Sequence, residues 1–580
     1  MTRYQGNPMK RLTNLALALA VAGTLGGCEL DVANPNSPDA RRAFVDPAGL
    51  QQLLGGAFRT WVETRGDYFH GLPMTAMADN YTASWNNAAI RRYSSVGSDC
   101  PARCGWTNSA TAPEAGGGPT VAAAWYGYYT VFSGATDVLS AIKGGLCFDA
   151  NCATDNTVTS RNKAIAKMLQ GMAFSGIATL YDQGFAVDEN SDLSDALAIP
   201  FSSRADMRAF ALTKFEEAYT EAGLKTWSTP AEWMGVGAGT PYTNTQIRKI
   251  IRSMQAELIA MWPRNGSENT AAAWGTVASL AAQGVSAAPA FDWQFYIDIT
   301  GAECGLDCVK TWGNSLGTMR VDTRVAALVT TNHQNPWPDP LGNPCPLVAR
   351  NGDRRVGDGS WGPANNFNGY ATQVQTAGAG TDYACSGVVV FPAARGQYHQ
   401  SNLTHIRYVK LAYIGENLPG DNGTGQDPFF TRQMNDLLWA EGLIRSGGSQ
   451  ATAAALINNS RVGRGGLVPL TGSEGTAALL TALQYEQEIE FMGQGVMPFY
   501  NRRRIDGLST GTPRHMPVPA KEMDVLVREI YTFGGPGAPD MAPGTQSGGA
   551  DRVAAVRSVR QVHEDFRKDA RRATSSNRNW

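Results

Sequence analysis

Ile247, Ile250, Ile251, Met254, Leu258 and Met261 recur at spacings of three and four residues, which places all six side chains on one face of a helix. Pro263 follows, where the ring and missing N–H stop helical hydrogen bonding. The pattern returns in blocks. Ile165, Met168, Leu169 and Met172 form a second, running into Leu180 and Tyr181. A third opens at Ser203, which with Asp206 predicts a capping box, and carries Phe210, Phe215, Ala218 and Tyr219. In the C-terminal third, Met434, Leu437, Ala440 and Ile444 line one helix, and residues 453–459 and 479–492 predict two more. The fold class is therefore mainly α, with tetratricopeptide-like helix pairs, although no strict repeat period can be read. Residues 83–120 and about 300–400 break the pattern. They are rich in Gly, Asn, Pro and Trp and read as irregular, loop-rich excursions on a helical frame.

The opening residues are of another kind. Arg3, Lys10 and Arg11 precede a short run of mainly Leu, Ala and Val over residues 12–25, and Leu25-Gly26-Gly27-Cys28 closes it. This predicts a signal peptide over residues 1–27, too short and too weakly apolar to span a bilayer. Its ending resembles a lipobox, which implies cleavage before Cys28 and a lipid on its thiol. An ordinary secretory signal with an incidental cysteine is the alternative. No later segment has the ~18 uninterrupted apolar residues of a membrane span, so lipid at Cys28 is the expected membrane anchor. Glu29 after the cysteine is compatible with sorting to an outer membrane.

Cysteine usage agrees with export. Setting Cys28 aside leaves eight. Proximity pairs Cys100 with Cys104, Cys147 with Cys152, and Cys304 with Cys308, and leaves Cys345 with Cys385. Zinc held by such pairs with His333, His399 or His405 would need reduced thiolates, against an oxidising compartment. No metal or other cofactor is expected. With 49 basic and 51 acidic residues, the chain has no electrostatic case for nucleic acid. Charged residues are only 17%, while 64 Gly, 14 Trp and 19 Tyr suit long loops and aromatic surfaces.

Several segments together resemble the SusD/RagB family of nutrient-binding outer-membrane lipoproteins. They are Leu30-Asp-Val-Ala-Asn-Pro-Asn36 after the cysteine, the run from Lys167 to Asp182 followed by Ala198-Ile-Pro200, then Ala440-Glu-Gly-Leu-Ile-Arg445, Leu456-Ile-Asn-Asn-Ser-Arg461, Tyr485-Glu-Gln-Glu-Ile-Glu-Phe491 and Met516-Pro-Val-Pro-Ala-Lys-Glu522. Their order from residue 28 to about 530 carries the resemblance. It implies one helical nutrient-binding domain over residues 28–545. Such a domain sits as a lid on a SusC-like TonB-dependent outer-membrane transporter, hands it a captured oligosaccharide or peptide, and performs no catalysis. Two departures stand out. Val496-Met-Pro-Phe-Tyr-Asn-Arg-Arg-Arg504 replaces an Arg-Asp-Leu pattern, and a basic tail over residues 546–580 extends past the familiar end. Arg552, Arg557, Arg560, Arg567, Lys568, Arg571 and Arg572 of that tail suit a solvated helix better than a nucleic-acid patch.

Enzyme signatures are weak. Glu486 and Glu490 lie one helical turn apart, but neighbours on a helix face point the same way, whereas a glycosidase holds its carboxyl groups across the scissile bond. Arg461, Arg464 and Arg502 to Arg504 offer them ion pairs instead. The G-x-S-x-G strings at residues 313–317 and 507–511 lack a preceding strand. Asp188, Asn190 and Asp192 imitate the start of a calcium loop, but Leu193 stands at the glycine position and Ile199 at that of the bidentate Glu. Sugar rings stack on aromatic planes while amides and acids bond their hydroxyls. Asp79, Asn80, Tyr81, Trp85 and Asn86, with Trp293, Tyr296, Trp312 and Trp337, are therefore the candidate ligand residues, Asp79, Asn80 and Trp85 leading. Core or loop packing is the alternative for each of these rings. Trp361 lies in the same excursion.

Overall fold

A computed structural model describes residues 46–83, 86–94, 100, 103–235, 238–298, 304, 306–314, 319–330, 352–356, 381–385, 401, 403–408, 411 and 424–534. Cys28, Trp85, Trp337, Cys345, Trp361 and the 546–580 tail lie outside them, as does the side chain of Cys385. The chain divides into Met1–Asp46 and the body that begins at Pro47.

The body is mainly helical. Its principal helices are α1 (Pro47–Gly66), α2 (Gly71–Met77), α3 (Gly118–Lys143), α4 (Thr157–Leu180), α5 (Arg204–Glu221), α6 (Asn244–Met261), α7 (Trp274–Ala281), α8 (Cys308–Gly313), α9 (Arg432–Ser446), α10 (Gln450–Arg461), α11 (Thr476–Glu490) and α12 (Met497–Arg504). They pack in series: α1 on α3, α3 on α4, α4 on α5, α5 on α6, α6 on α7, α7 on α9, α9 on α10 and α11. This is the tetratricopeptide-like pairing that the periodicity predicts. Close approach is built in by glycine. A Cβ on Gly176 of α4 would lie 2.3 Å from the Tyr128 ring of α3, and one on Gly442 of α9 would lie 2.6 Å from the backbone of Ala278 in α7.

Capping chemistry fixes the helix starts. Ser203 accepts from the Asp206 N–H at 3.1 Å, but the Asp206 carboxylate takes the Ser203 hydroxyl at 2.7 Å, so the predicted reciprocal box is only half formed. The complete box is at α6, where Thr243 accepts from the Gln246 N–H and Gln246 accepts from the Thr243 N–H at 2.9 Å. The six apolar residues of that block are all buried, and the helix ends two residues before Pro263.

Strands are few and short among the described residues. β1 (Tyr81–Thr82) pairs antiparallel with β3 (Arg320–Val321), β4 (Tyr383–Cys385) with β5 (Leu403–His405), and β2 (Trp293–Asp298) with β6 (Thr424–Phe430). These pairings tie the 300–400 excursion to the frame at its roots. The main core runs through the helix series and includes Trp61 stacked on Trp293, centroids 5.4 Å apart. A second apolar cluster lies under the excursion and joins Leu72, Tyr81, Val309, Trp312, Val321, Tyr383 and Ile489. Disulfides join Cys100 to Cys104, Cys147 to Cys152 and Cys304 to Cys308. Among the described residues no helix is long and apolar enough to cross a membrane.

Candidate ligand-binding site

At the end of α1 the chain turns through Asp67-Tyr68-Phe69. The Asp67 carboxylate accepts the Phe69 N–H at 2.9 Å and holds this turn, and desolvation pushes that carboxyl up to about 7. Tyr68 and Phe69 are half-buried and meet edge to face at 4.9 Å. The next outward segment follows β1, where Ala88 and Ala89 adopt φ of 52° and 57°, left-handed values that fold the chain back sharply. Glu114 ties the two segments together, accepting the Tyr68 hydroxyl at 2.8 Å and the Ala88 N–H at 2.9 Å. Asn86, half-buried, donates to the Ala115 carbonyl at 3.0 Å and accepts the Arg92 N–H at 3.3 Å. Hydrogen bonds thus hold Tyr68, Asn86 and Glu114 in one partly open patch, with the Phe69 ring against Tyr68 and Asn87 exposed next to Asn86. Its chemistry suits a polyhydroxylated ligand: ring faces for C–H surfaces, amide and acid groups for hydroxyls.

Of the leading sequence candidates, Asp79 and Asn80 have their polar groups claimed by the interior, and Trp85 lies outside the described residues. Asp79 is buried, ion-paired with Arg103, and accepts the Ser509 hydroxyl at 2.9 Å. Arg324 reaches the Asn80 side-chain oxygen at 3.3 Å and Glu488 at 2.7 Å. The Tyr81 hydroxyl bonds the His405 Nδ1 at 2.6 Å, and burial pulls that imidazole down to about 3, so it is neutral at physiological pH. Trp293 is buried against Trp61, and Trp312 is 6% exposed with its ring edge-on to Tyr68 at 5.1 Å. Asp79, Asn80, Tyr81, Trp293 and Trp312 are thus each buried interior contacts rather than open loop residues. Tyr296 stays half-buried on the opposite face of β2 from Trp293, as strand alternation requires. Of the candidates, Asn86 alone joins the open face among the described residues. Tyr68, Phe69 and Glu114 escaped sequence reasoning, although the Tyr-Phe pair just past a helix end was a readable signal.

The carboxylates of α11 are structural. Glu486 and Glu490 are both fully buried; Ser460 bonds them at 2.8 and 2.5 Å. Arg355 holds Glu486 at 2.7 Å, while Arg407 and Arg464 hold Glu490 at 2.7 and 2.5 Å. Burial alone would raise the Glu490 carboxyl, but these guanidiniums outweigh it and hold the group below the usual carboxylate range. Arg464 is one of the predicted partners, and Arg461 stands off at 3.8 Å from Glu486. Arg504 instead takes Glu441 through two bonds of 2.7 and 2.6 Å, and Arg503 binds the carbonyls of Thr179, Met261 and Arg514. A helix, not a strand, precedes both Gly313 and Gly507, so neither is a nucleophile elbow. The calcium-like loop is filled from within: Lys214 binds Asp188 at 2.7 Å, Lys167 binds Glu189 at 2.6 Å, and Lys143 binds Asn190 at 2.9 Å.

No family model and no curated protein matches this sequence. Solved structures do match. A SusD homolog from Bacteroides thetaiotaomicron superposes with a TM-score of 0.53 at 12% identity, over 85% of this chain and 97% of that one. SusD superfamily proteins from Bacteroides thetaiotaomicron and Bacteroides vulgatus give TM-scores of 0.52 and 0.51, each at 12% identity over 83% of this chain and 98% and 97% of theirs. A likeness that spans those chains almost end to end identifies the architecture: this chain has the SusD-superfamily fold.

Proposed function

We propose that this chain is a lipid-anchored outer-membrane lipoprotein of the SusD/RagB type, which captures an oligosaccharide at the cell surface and delivers it to a SusC-like TonB-dependent transporter. The near end-to-end correspondence with SusD-superfamily structures carries the reading. The leader ending at Cys28 supports export and anchoring, with residues 1–27 removed, residues 28–545 forming the binding domain, and the basic tail beyond. The face of Tyr68, Phe69, Asn86 and Glu114 supports a sugar ligand, with Tyr296 and, from outside the described residues, Trp85 and Trp337 as further contacts. The role is binding without catalysis, and the burial of the paired α11 carboxylates among arginines supports an ion-pairing part for them.

Incubating the soluble form, lacking residues 1–28, with mixed oligosaccharides and peptides separates the possibilities. Saturable retention of an oligosaccharide without cleavage is the expected result; retention of peptides alone makes the same lid a peptide binder, and turnover makes it a hydrolase. Isolation of the native lipoprotein from solubilised outer membrane is expected to bring a large barrel with it, and recovery without one defeats the transporter assignment.

A further inference from the structure

A buried lysine and two carboxylates stand apart from the binding face. Lys310 lies on α8, Asp307 caps that helix by accepting the Lys310 N–H at 2.9 Å, and Asp427 lies on β6, on the far side of the excursion. All three are interior, with exposures of 0% for Lys310, 1% for Asp307 and 0% for Asp427. The Lys310 Nζ is 2.9 Å from Asp307 Oδ2 and 2.6 Å from Asp427 Oδ1. Rings enclose them: Nζ lies 5.2 Å from the centroid of Tyr408 and 5.5 Å from that of Phe429.

The two carboxylates are not equivalent. A buried ion pair ordinarily persists because further hydrogen bonds satisfy its remaining lone pairs. Asp307 has such bonds, from the Lys310 backbone and ammonium. Asp427 meets the Lys310 ammonium through Oδ1 alone, and its Oδ2 has no hydrogen-bond partner among the described residues. Burial meanwhile pushes the Asp427 carboxyl up to about 6, toward its neutral form, while the two carboxylates keep Lys310 charged. An ammonium is thus pressed against a buried carboxyl whose Oδ2 is unpartnered among the described residues, with a second carboxylate in hydrogen-bond contact with its protons.

We propose that Lys310 and Asp427 are the site of an intramolecular amide crosslink, with Asp307 as its proton carrier. Asp307 takes a proton from the Lys310 ammonium. The freed amine attacks Cγ of the neutral Asp427 carboxyl, forming the C–N bond. Asp307 returns a proton to the departing hydroxyl, the C–O bond breaks and one water leaves. The nitrogen sheds its second proton to Asp307, which ends as the neutral acid, and nothing is oxidised or reduced. Fixed contact replaces a bimolecular encounter, the circumstance in which effective molarities of roughly 10⁵–10⁸ M arise. The product would bolt α8 to β6 and close the excursion between residues 310 and 427 at its base, beside the Cys304–Cys308 bridge.

Mass spectrometry of the exported full chain, reduced and unfolded, tests this directly. Trypsin is expected to leave Lys310 uncut and to release a branched peptide joining the Lys310 and Asp427 segments, one water lighter than its two parts. Lys310→Arg keeps the cation but removes the nucleophile, and its digest is expected to hold only linear peptides; Asp307→Asn is expected to lower the branched fraction at least tenfold. Recovery of linear Lys310 and Asp427 peptides from the unmutated chain overturns the crosslink, and a fully branched Asp307→Asn digest overturns the role of Asp307.

Discussion

Between α3 and α4 the contact is mainly apolar, with one hydrogen bond from Gln170 to Thr136: Tyr128 lies over Gly176, and Phe132 meets Phe174 at 5.1 Å. Beneath the excursion, beside the second apolar cluster, α11 meets residues 353–355 and 407 through guanidiniums and carboxylates, Arg464 joins Glu490 to Asp382, and a like pair, Arg504 of α12 with Glu441 of α9, is fully buried. Both regions are interior, yet they solve burial differently. A regular helix offers a continuous apolar stripe, so shape suffices. The short strands and turns under the excursion bury only a small apolar cluster around Tyr81, Val321 and Tyr383, and arginines from distant segments fasten them besides. The first region should respond to volume, the second to charge.

The largest expected effect comes from breaking the charged region at Arg504. Arg504→Met leaves Glu441, fully buried, with its two strongest bonds gone, and is expected to cost about 3–5 kcal/mol in urea unfolding, much of it recovered in the double variant with Glu441→Leu. Acid sharpens the same contrast. Burial works against the Glu441 charge, but Arg504 and Arg445 prevail and hold its carboxyl at about 2, below its ordinary value near 4.5. A depressed carboxyl stabilises the fold above the unfolded value and stops doing so as pH falls through the folded one. On the order of 3 kcal/mol is therefore expected to disappear between about pH 5 and 2. Arg504→Met should flatten that part of the pH–stability curve, and no core substitution should do so. In the apolar region, Gly176→Ala forces a methyl into the Tyr128 ring and is expected to cost about 1–3 kcal/mol without altering the acid profile. Thr243→Ala, which removes the capping box of α6, is expected to lower stability by about 1 kcal/mol, read by thermal unfolding.

The same contrast governs what the sequence discloses. The stripe of α6 and the blocks of α4, α5 and α9 were legible because a helix with one buried face repeats at its own period. α3 was not, because Trp125, Tyr126, Tyr128, Tyr129, Val131 and Phe132 bury it on several sides and erase the period. At the site, the segment was legible and the side chains were not. Asp79 and Asn80 look like loop ligands until Arg103, Arg324 and Arg502 arrive from far along the chain, and no local pattern announces that. Trp293 reads as a surface ring until β6 pairs with its strand and turns it inward. Arg355 and Arg407, inside a stretch rich in loops, gave no sign that they would close over Glu486 and Glu490.

The loop over residues 188–192 has a physiological corollary. The side-chain oxygens of Asp188, Glu189 and Asn190 are met by Lys214, Lys167 and Lys143, so a divalent ion there would have to evict ammonium groups already bonded at 2.6–2.9 Å. A loop built this way brings its own counterions, and its shape is expected to be indifferent to whether the surrounding water is hard or soft.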